Sequence, residues 1–373
     1  MSRIALMLPK LSTYGGAEGF AHRLAEALAS EGYDVDFLCA RQDTAAPPGV
    51  RVVNLGRPPL GRAAKVAWFA YAAERARKRG GYDLTCSMGK TMRQDILRMS
   101  GGPLSKFWEL SSRAYAPGPP RAFKALRRRL APENALIRRL ERMSLENQRV
   151  CVTVSHLVRD WLLEAHPFLS GRDVRVIYNK PDLTRFSPAN EDERTAIRRA
   201  AGLDGNRLLI STAGTNFALK GLETLIRALA LLPGEAVLHV AGARNPGRFK
   251  ALAKRLGLGK RVVFLGRVKD MASLYRASDV FCLPSFYDTC SNAVVEALAC
   301  GTPVVSSRDN GSSFFLPPER VVADPGDPEA LARAIENAAN DSRPGAFTWP
   351  ADMPAGLEPY LDLLREQLQG QSG

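Results

Sequence analysis

The sequence predicts an α/β protein made of two doubly wound domains, and three observations predict it. The chain has 373 residues, which is long for one hydrophobic core and suits two. Short apolar runs alternate with segments of helical period, as strands and crossover helices do in parallel sheets. The alternation occurs on both sides of Asn179 to Asn190, a stretch with two prolines and no clear period that predicts a linker.

The first domain is predicted over residues 1–178. It begins with a strand at Ile4 to Leu8, a loop at Pro9 to Gly16, and a helix from about Ala17 to Glu31. Further strands are predicted at Val35 to Cys39, Val50 to Val53, Leu84 to Cys86, Val150 to Val154 and Val174 to Tyr178. Helices are predicted at about Ala63 to Arg79 and Phe123 to Asn147. Gly102 to Pro120 is rich in Pro, Gly and Ser and predicts a mobile loop.

The second domain is predicted over residues 179–350 and repeats the pattern. Its strands are expected at Leu208 to Ser211, Val237 to Ala241, Val262 to Leu265, Val280 to Leu283 and Val304 to Val305. Its helices are expected at about Leu222 to Leu232, Pro246 to Leu256, Asn292 to Ala299 and Asp327 to Ala339. A last amphipathic helix is predicted at about residues 357–369, where the period runs from Leu357 to Leu368.

Asp279 to Ser306, a predicted strand–loop–helix–strand unit, contains the main candidate site. Its loop follows a buried parallel strand, so it lies at the carboxyl edge of the sheet, where open α/β sheets bind ligands. Asp288 lies in this loop, and Glu296 lies in the helix, for which Ser291 is the expected N-cap. Carboxylates accept hydrogen bonds from sugar hydroxyls, and a helix N-terminus attracts phosphate. The stretch therefore predicts a site for a sugar and a phosphate.

Two glycine-containing loops support this site. Gly15 and Gly16 follow the first strand and open a helix, so their backbone can approach a phosphate closely. The offset of Gly19 does not fit the dinucleotide fingerprint, which disfavours an oxidoreductase. The loop GTNFALKG, from Gly214 to Gly221, follows a second-domain strand and carries Lys220. A lysine there can stabilise a phosphate leaving group as it gains negative charge, and Arg244, after the next strand, is a candidate second cation.

These motifs resemble those of the family 4 retaining glycosyltransferases with the GT-B fold. In that family an acidic residue, seven spacers and a glutamate precede A-(L/M)-A-x-G-x-P-V-V; here the pattern runs from Asp288 through Glu296 to ALACGTPVV. The first acid is Asp where the family usually has Glu. Gly-Gly-x-Glu at residues 15–18 and Lys-Gly at 220–221 also match. Tyr287, Asp288, Asn292, Asn310 and Gly311 resemble the lipopolysaccharide-core glucosyltransferases of this family.

The resemblance implies a fold and a reaction. Two Rossmann-like domains would face a cleft, and the last helix would cross back to the N-terminal, acceptor-binding domain. The enzyme would move a hexose, with glucose expected, from a nucleotide sugar to a lipid-linked or lipopolysaccharide-core glycan. Gly15, Gly16, Lys220, Asp288, Asn292 and Glu296 would bind the donor. Lys220 and Asp288 would act in catalysis, the donor would be a UDP-sugar, and no metal or other cofactor would be needed.

The net charge of +14 predicts an anionic partner. Basic residues concentrate between Lys106 and Arg149, and a second cluster from Arg62 to Arg79 surrounds Trp68, Phe69 and Tyr71. These clusters fit an anionic membrane surface, an acidic glycan acceptor, or solvated helix faces; nucleic acid is disfavoured because no nucleic-acid module is recognisable. Six cysteines without C-x-x-C spacing and the absence of a spanning run predict a cytoplasmic protein. The basic clusters predict that it attaches peripherally to the inner face of the membrane.

Other functions remain open at this point. A GT-B sugar epimerase or phosphorylase would use a similar site, and a non-catalytic envelope-assembly protein would keep the fold without turnover. Asp34-Val35-Asp36 looks like a metal-binding D-x-D, but it lies at the start of a strand and predicts a structural role. Ser155 and His156 are expected to start a helix. No spacing of Cys, His or acidic residues predicts a metal site.

Overall fold

The structure is a computed structural model that describes residues 2–115, 118–203, 207–242 and 245–370. These residues form two compact units. The N-terminal unit contains residues 2–106, 118–178 and 354–370. The C-terminal unit contains residues 107–115 and the described part of 179–353. Each unit has its own parallel sheet with helices packed on it, which confirms the predicted α/β fold class.

The N-terminal unit alternates strands and helices from its first residues. Its strands are β1 (Arg3–Met7), β2 (Lys10–Leu11), β3 (Asp34–Cys39), β4 (Arg41–Gln42), β5 (Val50–Asn54), β6 (Leu84–Ser87), β7 (Ile96–Met99), β8 (Val150–Thr153) and β9 (Asp173–Val176). The helices of this part of the chain are α1 (Gly16–Ser30), α2 (Arg62–Gly80), α3 (Leu104–Arg113), α4 (Pro119–Leu130), α5 (Pro132–Glu146) and α6 (His156–Ala165). The last residues of α3 belong to the C-terminal unit.

The main sheet of this unit is parallel and has the order β5-β3-β1-β6-β7-β8-β9. The order reverses between β1 and β6, so the loops after these two strands leave the sheet in opposite directions. Such a switch point opens a crevice at the carboxyl edge of the sheet. β2 and β4 extend this edge as a short parallel pair in which Lys10 is opposite Arg41.

The C-terminal unit repeats the arrangement. Its strands are β10 (Leu209–Ala213), β11 (Val237–Ala241), β12 (Val262–Gly266), β13 (Val280–Leu283), β14 (Val304–Ser307) and β15 (Val321–Val322), in the parallel order β12-β11-β10-β13-β14-β15. Its helices are α7 (Glu191–Ala200), α8 (Leu222–Leu231), α9 (Gly247–Arg255), α10 (Met271–Ala277), α11 (Asn292–Ala299) and α12 (Pro328–Asn340). The switch point here lies between β10 and β13. Because helices cover both faces, β13 is buried along its whole length.

The C-terminal helix α13 (Glu358–Gln369) packs into the N-terminal unit, as expected from the resemblance. Its buried face contributes Tyr360, Leu361 and Leu364 to the core that also contains residues of β1 and α1. Arg175 on β9 adds an ion pair to Glu366, with an N–O distance of 2.6 Å. The helix is therefore an integral part of this core.

Two predictions about residues 102–147 were wrong. The predicted single helix from Phe123 to Asn147 is two helices, α4 and α5. Pro132 lacks an N–H group and disfavours helical backbone at the preceding residue, and Ala131 is extended, with ψ 119°. The predicted mobile loop from Gly102 to Pro120 contains α3, because its Gly and Pro residues flank the helix at the ends.

The sequence prediction also missed β7, because Arg98 interrupts its apolar run. Arg98 is only 1% exposed. Its Nε donates a hydrogen bond of 2.9 Å to the hydroxyl of Tyr360, and its guanidinium lies 4.0 Å from the centre of the Phe20 ring. A buried strand can contain an arginine when hydrogen bonds and an aromatic face replace its hydration. The prediction missed α7, α10 and β15 as well, whereas α6 begins at His156 as expected.

Two of the three aromatic residues of the second basic cluster, Trp68 and Tyr71, are exposed and pack together, with 6.3 Å between the ring centroids. Phe69 is buried in the core. Trp68 is half-exposed, and its indole N–H donates to the carbonyl of Leu55 at 2.9 Å. Of the three, Tyr71 is the most exposed.

All six cysteines lie in the described part of the chain, and each is a buried free thiol. Burial raises the pKa of Cys86 and of Cys151 to about 12. Among the described helices, none is both long enough and apolar enough to span a bilayer.

Candidate functional site

The candidate site of the C-terminal unit is built from the loops that follow β10 and β13, on the two sides of the switch point. The first loop runs from Gly214 to Gly221, and the second from Pro284 to Ser291. A hydrogen bond of 2.9 Å from Phe286 N to Leu219 O joins them directly. The backbone thus brings together the two segments in which the sequence predicted Lys220 and Asp288.

Lys220 and Asp288 meet across these loops. The Lys220 ammonium donates to Asp288 Oδ2 in an ion pair. The Lys220 side chain is 21% exposed and the Asp288 side chain 11% exposed, so both groups are reachable but poorly hydrated. In such surroundings an ammonium group interacts strongly with a phosphate oxygen, and a carboxylate interacts strongly with a hydroxyl donor.

Glycines make the space in which Lys220 lies. A Cβ atom on Gly214 would come within 2.8 Å of Lys220 Cγ. Gly221 has φ +69°, and a Cβ there would collide with the carbonyl of Pro284 in the second loop. A Cβ on Gly242, which follows β11, would collide with the carbonyl of Gly214. Close approach of backbone segments requires glycine at positions 221 and 242, whereas at Gly214 the neighbour is the flexible Lys220 side chain.

The backbone of Asp288 is held on both sides by the loop after β14. Asp288 N donates to Asp309 O, and Gly311 N donates to Asp288 O, each at 2.9 Å. Asn310, which the sequence also singled out, is buried and accepts from Ser312 N at 3.1 Å. These two hydrogen bonds limit the backbone motion of Asp288, so the position from which its carboxylate extends is fixed.

Residues 107–115 contribute a further contact to these loops. Arg113 donates to Asp309 Oδ2 at 2.9 Å and to Asp324 Oδ1 at 2.8 Å. Phe107 packs edge-on against Tyr287, with 5.2 Å between the ring centroids. Burial raises the pKa of Asp309, and the charge of Arg113 opposes that rise. α3 therefore stabilises Asp309, which accepts from the Asp288 backbone, and Tyr287, which precedes Asp288 in the chain.

Glu296 lies in α11, directly after the second loop. Tyr275, which is fully buried, donates its hydroxyl to Glu296 Oε2 at 2.9 Å. Within the described residues, Oε1 has no hydrogen-bond partner, which leaves it available as an acceptor. Burial raises the pKa of Glu296; the Tyr275 hydrogen bond and the charge of Arg185 lower it only in part. The carboxylate is thus a poorly hydrated acceptor, suited to paired hydroxyl donors.

Asn292, the first residue of α11, is exposed and accepts from Asn179 Nδ2 at 3.0 Å. Ser291 is the N-cap residue of this helix, as predicted, but its hydroxyl makes no capping hydrogen bond. Its carbonyl instead accepts from Ser312 Oγ at 3.0 Å. The N–H groups of the first turn of α11 therefore have no side-chain cap.

Gly15 and Gly16 lie in the N-terminal unit, at the beginning of α1. Gly15 has φ +107°, and the Glu18 carboxylate folds back over its Cα. A Cβ on Gly16 would have no neighbour within 4 Å. No side chain makes a capping hydrogen bond to the first N–H groups of this helix.

The other residues considered in the sequence analysis make contacts that indicate a structural role. Asp36 is fully buried and accepts hydrogen bonds from Arg51, Arg3 and Tyr82, of which the last is 2.7 Å long. His156 begins α6, and its Nδ1 lies 3.0 Å from the Tyr178 hydroxyl. Arg244, a candidate second cation beside Lys220, lies outside the described residues. Within those residues, no group of three His, Cys, Asp or Glu side chains is placed to hold a metal.

Tyr275, Arg113 and Asp309 were not predicted as site residues. Each acts on a residue that was predicted: Tyr275 on Glu296, and the Arg113–Asp309 pair on the backbone of Asp288. Asp309 precedes the Asn-Gly dipeptide that the sequence analysis did single out, which is a usable signal. Tyr275 and Arg113 have no such signal, because their partners lie 21 and 196 residues away in the chain.

Comparison with known proteins gives two family matches. Residues 14–90 match the model described as "Glycosyltransferase Family 4", and residues 207–341 match "Glycosyl transferases group 1". Together these segments cover more than half of the chain. Both candidate glycine loops, Lys220, Asp288 and Glu296 lie within the matched segments.

A curated relative, the D-inositol 3-phosphate glycosyltransferase of Mycobacterium sp. (strain KMS), is 34% identical over 176 residues. The match covers 44% of this chain and 39% of that protein, so the chain spans about two-fifths of the length of its relative.

Two solved structures share the fold. WaaG, a glycosyltransferase involved in lipopolysaccharide biosynthesis, has a TM-score of 0.73 at 18% identity, covering 91% of this chain and 90% of its own. HepE of Anabaena, solved in complex with UDP-glucose, has a TM-score of 0.65 at 19% identity, with the same coverage.

Proposed function

The chain belongs to the family 4 glycosyltransferases with the GT-B fold, and on this premise we propose that it transfers a hexose from a nucleotide sugar to a glycan or glycolipid acceptor. The observation that carries the proposal is the meeting of Lys220 and Asp288 at the switch point, where α11 with Glu296 begins. A cation for a phosphate and two carboxylates for sugar hydroxyls are the groups that a nucleotide sugar needs.

Each of these residues has a distinct role in the proposed reaction. Glu296 accepts hydrogen bonds from the ribose hydroxyls, and Asp288 accepts from the transferred sugar, with Asn292 beside it at the start of α11. Lys220 neutralises the diphosphate leaving group. The bond from the anomeric carbon to the diphosphate oxygen breaks as the acceptor hydroxyl attacks from the same face. The hydroxyl proton passes to the departing diphosphate, and the configuration is retained.

The proposed donor is UDP-glucose, used without a metal. HepE, which shares the fold, is described in complex with UDP-glucose. Lys220 supplies the positive charge that a metal would otherwise place on the diphosphate. The proposed acceptor is a lipid-linked or lipopolysaccharide-core glycan. WaaG is described as acting in lipopolysaccharide biosynthesis, whereas the curated relative is named for an inositol phosphate.

The donor is tested first by thermal shift with UDP-glucose, UDP-galactose and GDP-mannose. A donor at 100 times its dissociation constant stabilises the folded protein by about 2.7 kcal/mol. Transfer is then followed with labelled donor, with and without acceptor, and the anomeric configuration of the product is read by NMR. The acceptors are a truncated lipopolysaccharide core and an inositol phosphate.

Each outcome separates the proposal from its rivals. A product with retained configuration that forms only with acceptor supports transfer. Conversion of the nucleotide sugar without acceptor indicates an epimerase, and phosphate-dependent cleavage indicates a phosphorylase. Donor binding without turnover on any acceptor indicates a non-catalytic binding protein of envelope assembly.

We further propose that the protein acts at the inner face of the cell membrane, bound peripherally through α4. Phe123, Leu126 and Leu130 are 68%, 53% and 70% exposed, and their spacing puts them on one helical face. The helix has no acidic residue, and its last turn contains Arg127, Arg128 and Arg129. An exposed apolar face between cations suits the surface of an anionic leaflet.

Co-sedimentation with anionic and neutral vesicles over a salt series tests this membrane proposal. The triple substitution of Arg127, Arg128 and Arg129 by Gln should weaken binding to anionic vesicles, and higher salt should weaken binding of the wild type. Phe123→Ser with Leu126→Ser should weaken what remains at high salt. Equal binding to both vesicle types, or binding to neither, would remove the membrane from the proposal and leave an acidic acceptor as the partner of these charges.

A further inference from the structure

A cavity lies in the N-terminal unit, at the carboxyl edge of its sheet. It has a volume of about 360 Å³, within the range of small-ligand sites. It is lined by the segments that follow β1, β3, β5 and β6 and by the start of α2. Six basic residues line it: Lys10, Arg41, Arg57, Arg62, Lys65 and Lys90. The cavity therefore adjoins the switch point of this sheet, where ligands of doubly wound folds bind.

The positive charge of this cavity is largely uncompensated. No acidic residue is among those that line it. Asp43 pairs with two of the cations, Lys10 at 2.7 Å and Arg41, which the β2–β4 register places opposite each other. Across the described ranges, the other four cations form no ion pair. Like charges gathered in a concave site repel one another, and an anion would relieve that repulsion.

The backbone that carries Lys90 is unusual. Lys90 has φ +66°, and among the described residues it is the one non-glycine residue with positive φ. Such backbone is unfavourable for a side chain that has a Cβ, and it persists where neighbours hold it. Here Ser87 and Thr91, on either side of Lys90, are linked by a buried hydrogen bond of 2.7 Å, and Thr91 donates to Gln94 at 2.7 Å. This network holds Lys90 at the cavity.

Desolvation lowers the pKa of Lys90, and the positive charge of Arg62 lowers it further. The charge of Glu18, which follows the Gly15–Gly16 loop, acts in the opposite direction. The cavity is thus electrostatically coupled to the glycine loop at the beginning of α1. A bound anion beside Lys90 would restore its ordinary basicity, because an opposite charge favours the charged form.

We propose that this cavity binds a phosphate group carried by the acceptor substrate. Four cations without ion pairs, a cavity of suitable size and a strained lysine held at its wall are the features of an oxyanion site, and arginine and lysine are the usual phosphate ligands. The assignment to an acceptor rests on the proposed transferase function; the binding of phosphate does not. A phosphorylated sugar and a lipid phosphate share this chemistry.

The test is calorimetric titration at low ionic strength with three probes: glucose 6-phosphate, glucose, and dihexanoyl phosphatidic acid below its micelle concentration. The test variant is Arg62→Gln/Lys65→Gln. Its matched control is Arg75→Gln/Arg79→Gln, which removes the same charge from the same helix away from the cavity. Lys220→Ala removes the cation of the candidate donor site, so a loss of phosphate binding in this variant would show that the probe binds there. Amine labelling read by mass spectrometry follows Lys65 and Lys90 directly.

The wild type should bind glucose 6-phosphate and not glucose, and the probe should protect Lys65 and Lys90 from labelling. Arg62→Gln/Lys65→Gln should raise the dissociation constant about tenfold or more, while the matched control and Lys220→Ala remain within about twofold. Tighter binding of phosphatidic acid than of glucose 6-phosphate would assign the phosphate to a lipid, and the reverse to a sugar.

The proposal is overturned if no phosphate probe binds, if Lys220→Ala alone abolishes binding, or if both double variants bind as the wild type does. UDP-glucose binding is measured in parallel. If Arg62→Gln/Lys65→Gln still binds UDP-glucose, the donor site and the phosphate site are distinct. If the wild type does not bind UDP-glucose, the proposed function fails while the phosphate result stands.

Discussion

Lys220 and Asp288 are 68 residues apart in the chain and form an ion pair at the carboxyl edge of the second sheet. The pair has a consequence for the proposed reaction. A diphosphate that attracts the Lys220 ammonium releases the Asp288 carboxylate, which can then accept a hydrogen bond from a sugar hydroxyl. Binding of the leaving group and recognition of the transferred sugar would therefore depend on each other.

Lys220→Ala should lower turnover by about 10²–10³-fold, since it removes a preorganised charge at a developing anion. The Michaelis constant for the donor should change less, because the interaction strengthens as negative charge develops. Steady-state kinetics with the identified donor measures both. Lys254→Ala, an exposed lysine on α9, is the control and should have wild-type kinetics. Wild-type turnover in Lys220→Ala would exclude Lys220 as the partner of the leaving group.

Glu296→Gln should weaken donor binding about ten- to a hundredfold, because charged hydrogen bonds contribute about 1.5–3 kcal/mol. Calorimetry measures the loss. The folded protein should not become less stable, because a neutral amide does not have the desolvation cost of a buried carboxylate. That same cost raises the pKa of Glu296. Unchanged affinity, or a general loss of stability, would contradict this assignment.

Donor affinity should also depend on pH through Glu296. The ionised carboxylate is the better acceptor, so affinity should fall as the pH decreases through the pKa of this group. Because that pKa is raised, the fall should begin at a higher pH than an exposed glutamate would give. Titrations from pH 8 downward measure the effect, and the slope should be absent in Glu296→Gln.

The glycine loops allow a graded test of the Lys220 position. Gly214→Ala should lower turnover with little loss of stability, because its methyl group would displace the flexible Lys220 side chain. Gly221→Ala should destabilise the C-terminal unit, because its methyl group would meet backbone at a positive φ. Gly234→Ala has open space and is the control. Thermal unfolding and turnover, measured on all three, separate displacement of the lysine from misfolding.

Asp36→Asn should destabilise the protein by about 1–3 kcal/mol, because it removes the charge that Arg3 and Arg51 share in a buried site. Burial alone would raise the pKa of Asp36, but the hydrogen bonds from Arg51 and Tyr82 lower it. Its stabilisation is therefore present above the pKa of an unfolded aspartate and is lost as the pH falls through the lower folded value. Turnover per folded molecule should be unchanged; loss of activity at wild-type stability would instead favour a metal-binding role. Asp34→Asn, half-exposed, is the control.

Elements with uninterrupted apolar periodicity were predictable from the sequence. β11 and β13 have the predicted bounds, as does α11, because each is short, apolar and ended by Gly or Pro or by a loop of small residues. The alternation of these elements was enough to predict two parallel sheets. α3 was not predictable, because what stabilises it is distant in the chain: Phe107 contacts Tyr287, and Arg113 pairs with Asp309.

The same limit applies to the candidate site. Lys220, Asp288 and Glu296 could be chosen because each lies in a motif of fixed spacing next to a predicted strand. The Lys220–Asp288 contact itself follows from the strand order, in which β10 adjoins β13, and that order is not written in either loop. Tyr275 is an ordinary apolar-face residue of α10 in the sequence, and its bond to Glu296 depends on how α10 packs beside α11.

Because all six cysteines are buried, the native thiols of the folded chain should not react with thiol-specific reagents. Thiol-specific labels need an exposed thiolate, and burial both blocks access and raises the pKa of Cys86 and Cys151. A single cysteine introduced at an exposed position, such as Ser105 or Thr215, should therefore accept a fluorophore or spin label while the native thiols stay intact. Distances and motions in solution could then be recorded on a chain that keeps its natural core.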